Sequence, residues 1–527
     1  VREPSKTHTI ETGNKYLRGA VEGGLKLEYV WAKGSDESAV KEADRFSGDG
    51  FGATERHIAA LEASCKYLEN HLANVPYVQT KITSMHFRVS EFKKMKSGPG
   101  EPFCVLGSTY GDLLKRMDEV AKELAVLLDG EDFELEGEVY PLFDGGSILY
   151  AMYCAFRNRV MAGKKPIVTF YVHSKKDKYK LKKLLTEAYR TIQGTDIFLM
   201  MLMIEFGECF KKYLYTGVEN WMIETTPLER TKFYNGWSDL YTVGSDYTAY
   251  DRYVSPQVVS AMFGTFKRAG MPARAADYIR DMISFAPLSF HGGEIAYRQG
   301  GNPSGQYWTT MTNCFVHTVY IAYFFSIQAK TVSADAILVE LEDRYWVCHG
   351  DDEMVGDDLC EAEEYVRIVE AHCHEIGQEV TAEELILDGE STKVFPPGVP
   401  APFLGETRLY TAGMSIPLPT RPAKSAVYAF YKPLDARGED GTPVFGHVVA
   451  GGYQALLGLE AARYIMSSIE VPLPTNKYVG AVSQVLVDLK KTGMVVPSVL
   501  SLARWVSMHT GVHVDDVCHY AASHLRQ

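Results

Sequence analysis

Apolar positions recur at helical spacing over residues 54–72 and 110–128, and the pattern predicts a helix in each. Ser255 before Pro256 predicts a capped helix running to about Arg268, and 273–285 repeats the helical spacing. The longest apolar runs, 197–206 and 316–327, are too short to span a bilayer; they and the stretch 195–213 around the first are expected as buried helices. Other stretches read as extended. Residues 239–243 predict a strand ending near Asp246. The aromatic and β-branched run Arg344-Tyr345-Trp346-Val347 and the run Met354-Val355 predict two strands around a tight turn. Residues 286–300 read as a hairpin, and 361–376 as an amphipathic helix followed by a strand near Val380. Pro396-Pro397-Gly398-Val399-Pro400 is a stiff connector, and 411–527 is expected to be mostly helical.

Composition narrows the class. The chain of 527 residues is 46% hydrophobic and 23% charged, which is ordinary for a globular protein of several subdomains. Its net charge of -13 argues against a protein that coats nucleic acid non-specifically. It leaves room for an enzyme with a locally basic channel, since the field in a cleft follows its lining. The 9 cysteines are scattered with no C-x2-C pair, so neither a disulfide scaffold nor a zinc ribbon is expected, and a reducing compartment is. His372-Cys373-His374 resembles a metal cluster only superficially, because neighbours on a helix point to different faces. The chain opens at Val1 rather than Met, as expected of a product cut from a longer polyprotein or of a trimmed chain.

The candidate chemistry lies at the turn between the two predicted strands, Cys348-His349-Gly350-Asp351-Asp352-Glu353. Adjacent carboxylates repel, so their place at a turn between apolar strands calls for a compensating cation, and two hard oxygen ligands suit Mg²⁺. A second Gly-Asp-Asp at 356–358 runs into an acidic helix start and reads as a helix cap. Asp246, at the end of its own strand, would complete a set of three carboxylates for two ions. Between them lies the loop Gly300-Gly301-Asn302-Pro303-Ser304-Gly305-Gln306, which feeds the long apolar helix. The stretch 164–190 is the most basic of the chain.

Three blocks in this order resemble motifs A, B and C of viral RNA-dependent RNA polymerases, with wording closest to the astrovirus and picornavirus-like group. They are D-x4-D at Asp246 and Asp251, S-G-x3-T-x3-N at Ser304, Gly305, Thr309 and Asn313, and G-D-D at 350–352. His349 departs from the more usual Tyr before that last block. The resemblance implies an α+β right-hand fold with an antiparallel palm sheet and a mostly helical thumb. It divides the chain into an N-terminal extension and fingers (1–235), palm (236–262), a fingers insertion (263–299), palm again (300–410) and thumb (411–527).

It also implies roles. Asp246, Asp351 and Asp352 would hold Mg²⁺, with Mn²⁺ as a substitute. Asp251, Ser304, Thr309 and Asn313 would sense the ribose 2′-hydroxyl. Lys183 precedes Arg190 by seven residues, the spacing of the family's motif F, and Lys175 fits a further basic position; together they would grip the triphosphate. The alternative for this basic run is a solvated helix face. Lys393 is a candidate general acid for pyrophosphate, the alternative being a surface lysine. Phe403 to Leu409 resembles motif E, and 97–100 is either an exposed loop or the family's template motif. The expected partners are template and product RNA, nucleoside triphosphates, other viral replication proteins and, where priming is by protein, a protein primer. The expected location is the host cytoplasm, in membrane-associated replication complexes. Rival readings are a reverse transcriptase, the polymerase of a double-stranded RNA virus, a non-catalytic RNA-binding protein of the same fold, and a metal-binding α/β protein with chance motifs. A bulky aromatic gate in place of Asp251 would have favoured the first.

Overall fold

The structure is a computed structural model. It describes residues 29–32, 36–43, 46, 50–88, 103, 106, 109–128, 132–175, 177–180, 189–225, 230, 233, 235–237, 239–290, 293–387, 390–397, 401–404, 407–409 and 418–420. The 97–100 turn, Lys183 and the expected thumb, apart from 418–420, lie outside the described residues.

The helices in chain order are α1 (Asp36–Ala43), α2 (Glu55–Leu72), α3 (Tyr110–Leu128), α4 (Gly145–Met161), α5 (Ile197–Gly217), α6 (Pro256–Arg268), α7 (Ala273–Phe285), α8 (Thr309–Gln328), α9 (Ala334–Asp343) and α10 (Leu359–His372). The strands are β1 (Tyr29–Ala32), β2 (Asp132–Leu135), β3 (Glu138–Pro141), β4 (Phe170–Ser174), β5 (Asp177–Lys180), β6 (Thr191–Gly194), β7 (Tyr241–Tyr247) and β8 (Leu288–Ser289). They continue as β9 (Ile295–Ala296), β10 (Tyr345–His349), β11 (Asp352–Asp357), β12 (Val380–Ala382), β13 (Leu385–Leu387), β14 (Glu390–Thr392), β15 (Thr407–Leu409) and β16 (Leu418–Thr420).

The caps read from sequence hold. Ser255 accepts from the Gln257 N–H at 3.2 Å with Pro256 in the first turn of α6. Asp358, from the second Gly-Asp-Asp, accepts from the Glu361 N–H at 3.0 Å and starts α10. α8 contains no Asp, Glu, Lys or Arg and is buried along nearly its whole length. A helix without a solvated face needs partners on every side. α2, α9, α6 and α10 supply them, with β10.

One antiparallel sheet of order β10-β11-β7-β12 carries the candidate chemistry. Both its faces are covered. Trp346, Cys348, Val243 and Val355 join the main core with α8 and α10. Val347 and Met354 turn the other way onto Met222, Trp237, Phe395 and Phe403. The segment after β14 is tied to the same sheet, since Thr242 and Phe395 exchange both backbone hydrogen bonds at 2.9 and 2.8 Å. Burial on both faces explains why β10 reads as a continuous apolar run instead of an alternating one.

A second sheet, β6-β4-β8-β9, joins distant parts of the chain: β4 and β8 pair in parallel at Phe170–Leu288 and Tyr171–Ser289. Within the described part of the basic run, 170–174 and 177–180 are strands. β4 and β6 are antiparallel, and β5 pairs with β1. The alternation Lys178-Tyr179-Lys180 has the period of a strand. β15, at the end of the region that resembles motif E, pairs antiparallel with β16 beyond it.

Candidate active site

The turn between β10 and β11 is two residues long, because His349 pairs with Asp352. Gly350 takes φ +68, a left-handed conformation that a residue with a Cβ adopts only under strain and that two-residue hairpin turns use at their first position. Asp351 is the second turn residue and is exposed.

Register then brings the acidic segments together. Glu353 of β11 faces Ser245 of β7 across the antiparallel ladder. One further step along that ladder sets Asp352 beside Asp246. Side chains alternate along a strand. Ser245 and Glu353 point into the core, where they are hydrogen-bonded at 3.0 Å, so Asp246 and Asp352 share the opposite, outward face. The Asp352 carboxyl is pushed up to about 7 by burial and by the charges of Asp351 and Asp246, with Glu383 adding to them. Glu383 follows β12 and donates its N–H to the Gly244 carbonyl at 2.9 Å; nothing in its local sequence singles it out.

Mutual repulsion of this kind is relieved by a cation, and an all-oxygen donor set suits a hard divalent ion. Among the described residues no group of three acidic, imidazole or thiol side chains encloses an ion unaided. Ions held here would complete their shells with water and phosphate oxygens, as Mg²⁺ commonly does. The donor set therefore fits Mg²⁺. His372 bonds Glu375 at 2.6 Å within the 3₁₀ turn that follows α10, in line with a structural role.

A second cluster adjoins the first. Asn313 donates to Asp251 Oδ1 at 2.7 Å, and Asn302 donates to Asn313 Oδ1 at 2.7 Å. The Asn302 N–H in turn donates to the Asp251 carbonyl at 2.7 Å. Burial pushes the Asp251 carboxyl up to about 7; hydrogen bonds from Asn313 and Ser304 oppose the shift, and the charge of Asp351 adds to it. Asp251, Ser304 and Asn313 thus meet, the grouping that the resemblance implies, close to the Asp351 turn. Thr309 does not join them. It is the first residue of α8, and side chains there lean back toward the N-terminus. Its hydroxyl accepts the Gly305 N–H at 3.1 Å and lies 2.8 Å from the Gln306 carbonyl, so it shapes the loop. Asn302 escaped the sequence reading; its place between a Gly pair and a Pro suggested only a turn.

The loop is fixed by β6 and the residue that follows it. Gly305 has φ +116, and a Cβ there would meet the Gln193 carbonyl at 2.9 Å. Thr195 donates to the Gly305 carbonyl at 3.1 Å. Arg190 lies three residues before Gln193, and its carbonyl accepts the Lys175 N–H at 2.8 Å, so the two basic residues sit opposite each other at the end of the β4–β6 ladder, both exposed. Lys393 is ion-paired with Glu370 of α10 at 2.7 Å. His349 lies 2.7 Å from the Met222 carbonyl through Nδ1, and burial lowers its pKa. It ties the β10–β11 turn to the strand-like segment that flanks β10.

Comparison with known proteins agrees with this geometry. The non-structural polyprotein 1AB of Ovine astrovirus 1 is 24% identical over 297 residues, covering 52% of this chain and 21% of that protein. The chain thus spans about a fifth of the length of that relative. A solved Sicinivirus 3Dpol RNA-dependent RNA polymerase superposes with a TM-score of 0.59 at 14% identity, covering 97% of this chain and 98% of that one. The likeness is one of fold, a right-hand polymerase with an α+β palm. A family model described as viral RNA-dependent RNA polymerase matches residues 65–421, a span that holds β7, the loop before α8 and the β10–β11 turn. With that match over more than half its length, the chain belongs to the viral RNA-dependent RNA polymerase family.

Proposed function

We propose that this chain copies RNA on an RNA template by divalent-ion-assisted nucleotidyl transfer and serves to replicate a viral RNA genome. The observation that carries the proposal is the placement of Asp246 and Asp352 on neighbouring strands, one residue from Asp351 and beside the Asp251–Asn313 pair.

In this reading Asp246 and Asp351 hold two Mg²⁺ ions, or Mn²⁺ in their place, with Asp352 assisting. When bound, such ions make a primer 3′-hydroxyl a better nucleophile and offset charge on the α-phosphate and the departing pyrophosphate. The protein's own groups do the rest. Lys175, Arg190 and, from the sequence alone, Lys183 orient the triphosphate. Asp251, Asn313 and Ser304 form a preformed polar set for the ribose 2′-hydroxyl, with Thr309 holding the loop that carries Ser304. A site built to bond a hydroxyl rejects a sugar that lacks it, because its own polar groups stay unpaired. That asymmetry favours ribonucleotides over the substrates of a reverse transcriptase. For Lys393 to protonate pyrophosphate, its ammonium must leave Glu370. Base identity is read by pairing with the template. The same reading sets the work in the host cytoplasm, in membrane-associated replication complexes with other viral proteins.

The test is extension of a labelled RNA primer on an RNA template with Mg²⁺. The native chain should extend it, and Asp351→Asn should fall by about a thousandfold, or about 4 kcal/mol of barrier. A native chain that stays inactive with Mg²⁺ and with Mn²⁺ would overturn the proposal.

A further inference from the structure

Beneath the β10–β11 turn lies a buried polar cluster. His317 and Glu353 are both fully buried and lie 2.6 Å apart, Nε2 to Oε2. The other ring nitrogen, Nδ1, lies 3.0 Å from the carbonyl oxygen of Gly350. That carbonyl can only accept, so Nδ1 carries a proton and donates it, whichever of Nε2 and Oε2 holds the proton between them. The Glu353 carboxyl takes three further hydrogen bonds, from Ser245 at 3.0 Å, Tyr247 at 3.0 Å and Tyr365 at 2.8 Å. These come from β7 and α10. The imidazole lies between two rings: Tyr250 is stacked on it at 14° and Tyr247 meets it edge-on at 71°. The ring has no room to rotate.

The second backbone group of Gly350 is held as well. Its N–H donates to Cys314 Sγ at 3.3 Å. Cys314 and His317 are three apart on α8 and so lie on one helix face. One helix thus grips both sides of the residue that precedes Asp351. Gly350 needs the grip, because the freedom that lets it adopt the turn also lets it leave the turn, and the crowded carboxylates push outward.

We propose that His317 is a positioning residue for the catalytic turn. It pins the Gly350 carbonyl, and thereby the Asp351 carboxylate, in the place where a divalent ion is shared with Asp246. Glu353 orients the imidazole, and Cys314 holds the other end of the same glycine. This rests on the metal-binding role proposed above for Asp246 and Asp351. A buried pair with only a packing role would be indifferent to which ring nitrogen is lost. A positioning pair is not indifferent.

Two near-isosteric variants of the full chain separate these cases. His317→Asn keeps a donor near the Nδ1 position, facing Gly350, and gives up Glu353. His317→Gln keeps a polar group near Nε2, facing Glu353, and gives up Gly350. Each is measured three ways: Mn²⁺ binding by electron paramagnetic resonance, kcat and nucleotide KM in primer extension, and thermal unfolding. Small displacements of a catalytic group can cost about a hundredfold in rate. The Gln variant should lose at least about tenfold in kcat, with nucleotide KM nearly unchanged and Mn²⁺ bound more weakly. The Asn variant should keep more of both kcat and Mn²⁺ affinity, whatever the order of their unfolding temperatures. Equal losses in the two variants, or losses that follow unfolding temperature alone, would overturn the proposal. If neither variant folds, Cys314→Ala removes the other contact to Gly350. It should lower kcat and Mn²⁺ affinity together, and native values would count against the clamp. If the native chain extends no primer, the polymerase reading fails while the Mn²⁺ titrations still decide the positioning.

Discussion

Gln193 and Ser304 are joined by two reciprocal hydrogen bonds. The Gln193 N–H donates to the Ser304 carbonyl, and the Ser304 N–H donates to the Gln193 side-chain oxygen, both at 2.6 Å. Gln193 is buried, and its amide nitrogen donates to Thr191 at 2.9 Å. β6, which begins directly after Arg190, is therefore fastened to the loop that carries Ser304. Gln193→Ala leaves the Ser304 N–H without its side-chain acceptor, a loss of about 1–3 kcal/mol where such a group stays dry. The expected result is a fall of about tenfold in kcat/KM for nucleotide, with the unfolding temperature changed little. Steady-state incorporation and a thermal melt check both.

Gly305 lies in the same loop at φ +116, against the Gln193 carbonyl. Gly305→Ala introduces both backbone strain and a close contact. A residue forced into sparse backbone space costs about 1–3 kcal/mol. Elongation should slow by about tenfold or more, read as nucleotides added per second on a long template. Normal elongation would count against a need for glycine's conformational freedom at this position during synthesis.

Sugar discrimination should depend on the Asp251–Asn313 contact. Asn313→Leu removes the donor at 2.7 Å and keeps the volume. The ratio of kcat/KM for ribo- over deoxyribonucleotide should drop at least about tenfold, chiefly through loss of the ribonucleotide rate. Competitive single-nucleotide incorporation measures it. An unchanged ratio would remove Asn313 from sugar recognition.

Stability should hinge on a different carboxylate. Glu205 is buried on α5, paired with Arg157 at 2.6 Å and bonded by Gln79 at 2.5 Å and by Tyr153. Arg157→Ala strands a buried charge and should cost about 3 kcal/mol. Two residues beyond Arg157, Arg159→Ala breaks a solvent-facing pair with Glu136 and should cost under about 1 kcal/mol. Chemical denaturation of the two variants compares them directly; equal effects would show that the Glu205 network is compensated.

The parts legible in sequence are those set by local chemistry. Gly350 and two carboxylates between apolar runs could form little besides a hairpin tip. Ser255-Pro256 and Asp358 announced their helices, and the i, i+3, i+4 pattern placed α2, α3, α6 and α7 almost to the residue. What escaped is set by contacts between distant segments. Gln193 and Ser304 are 111 positions apart. His317, in an apolar helix, reads as an ordinary core residue, because its partner Glu353 lies 36 positions away. In the basic run, 170–174 and 177–180 fold as strands because their pairing partners, at 29–32 and 288–289, come from elsewhere in the chain.

α8 serves two ends at once. Asn313 donates to the Asp251 carboxylate, and Cys314 and His317 hold the turn that bears Asp351. From 313 to 317 is a single helical turn, about 6 Å of rise. Under the roles proposed for Asp251 and Asp351, the helix is a ruler: the gap between where a nucleotide's sugar is inspected and where its phosphate reacts would be set by backbone geometry and not by adjustable side chains. A substitution that tilts this rod shifts both stations together, so loss of fidelity and loss of speed should arrive in the same mutants.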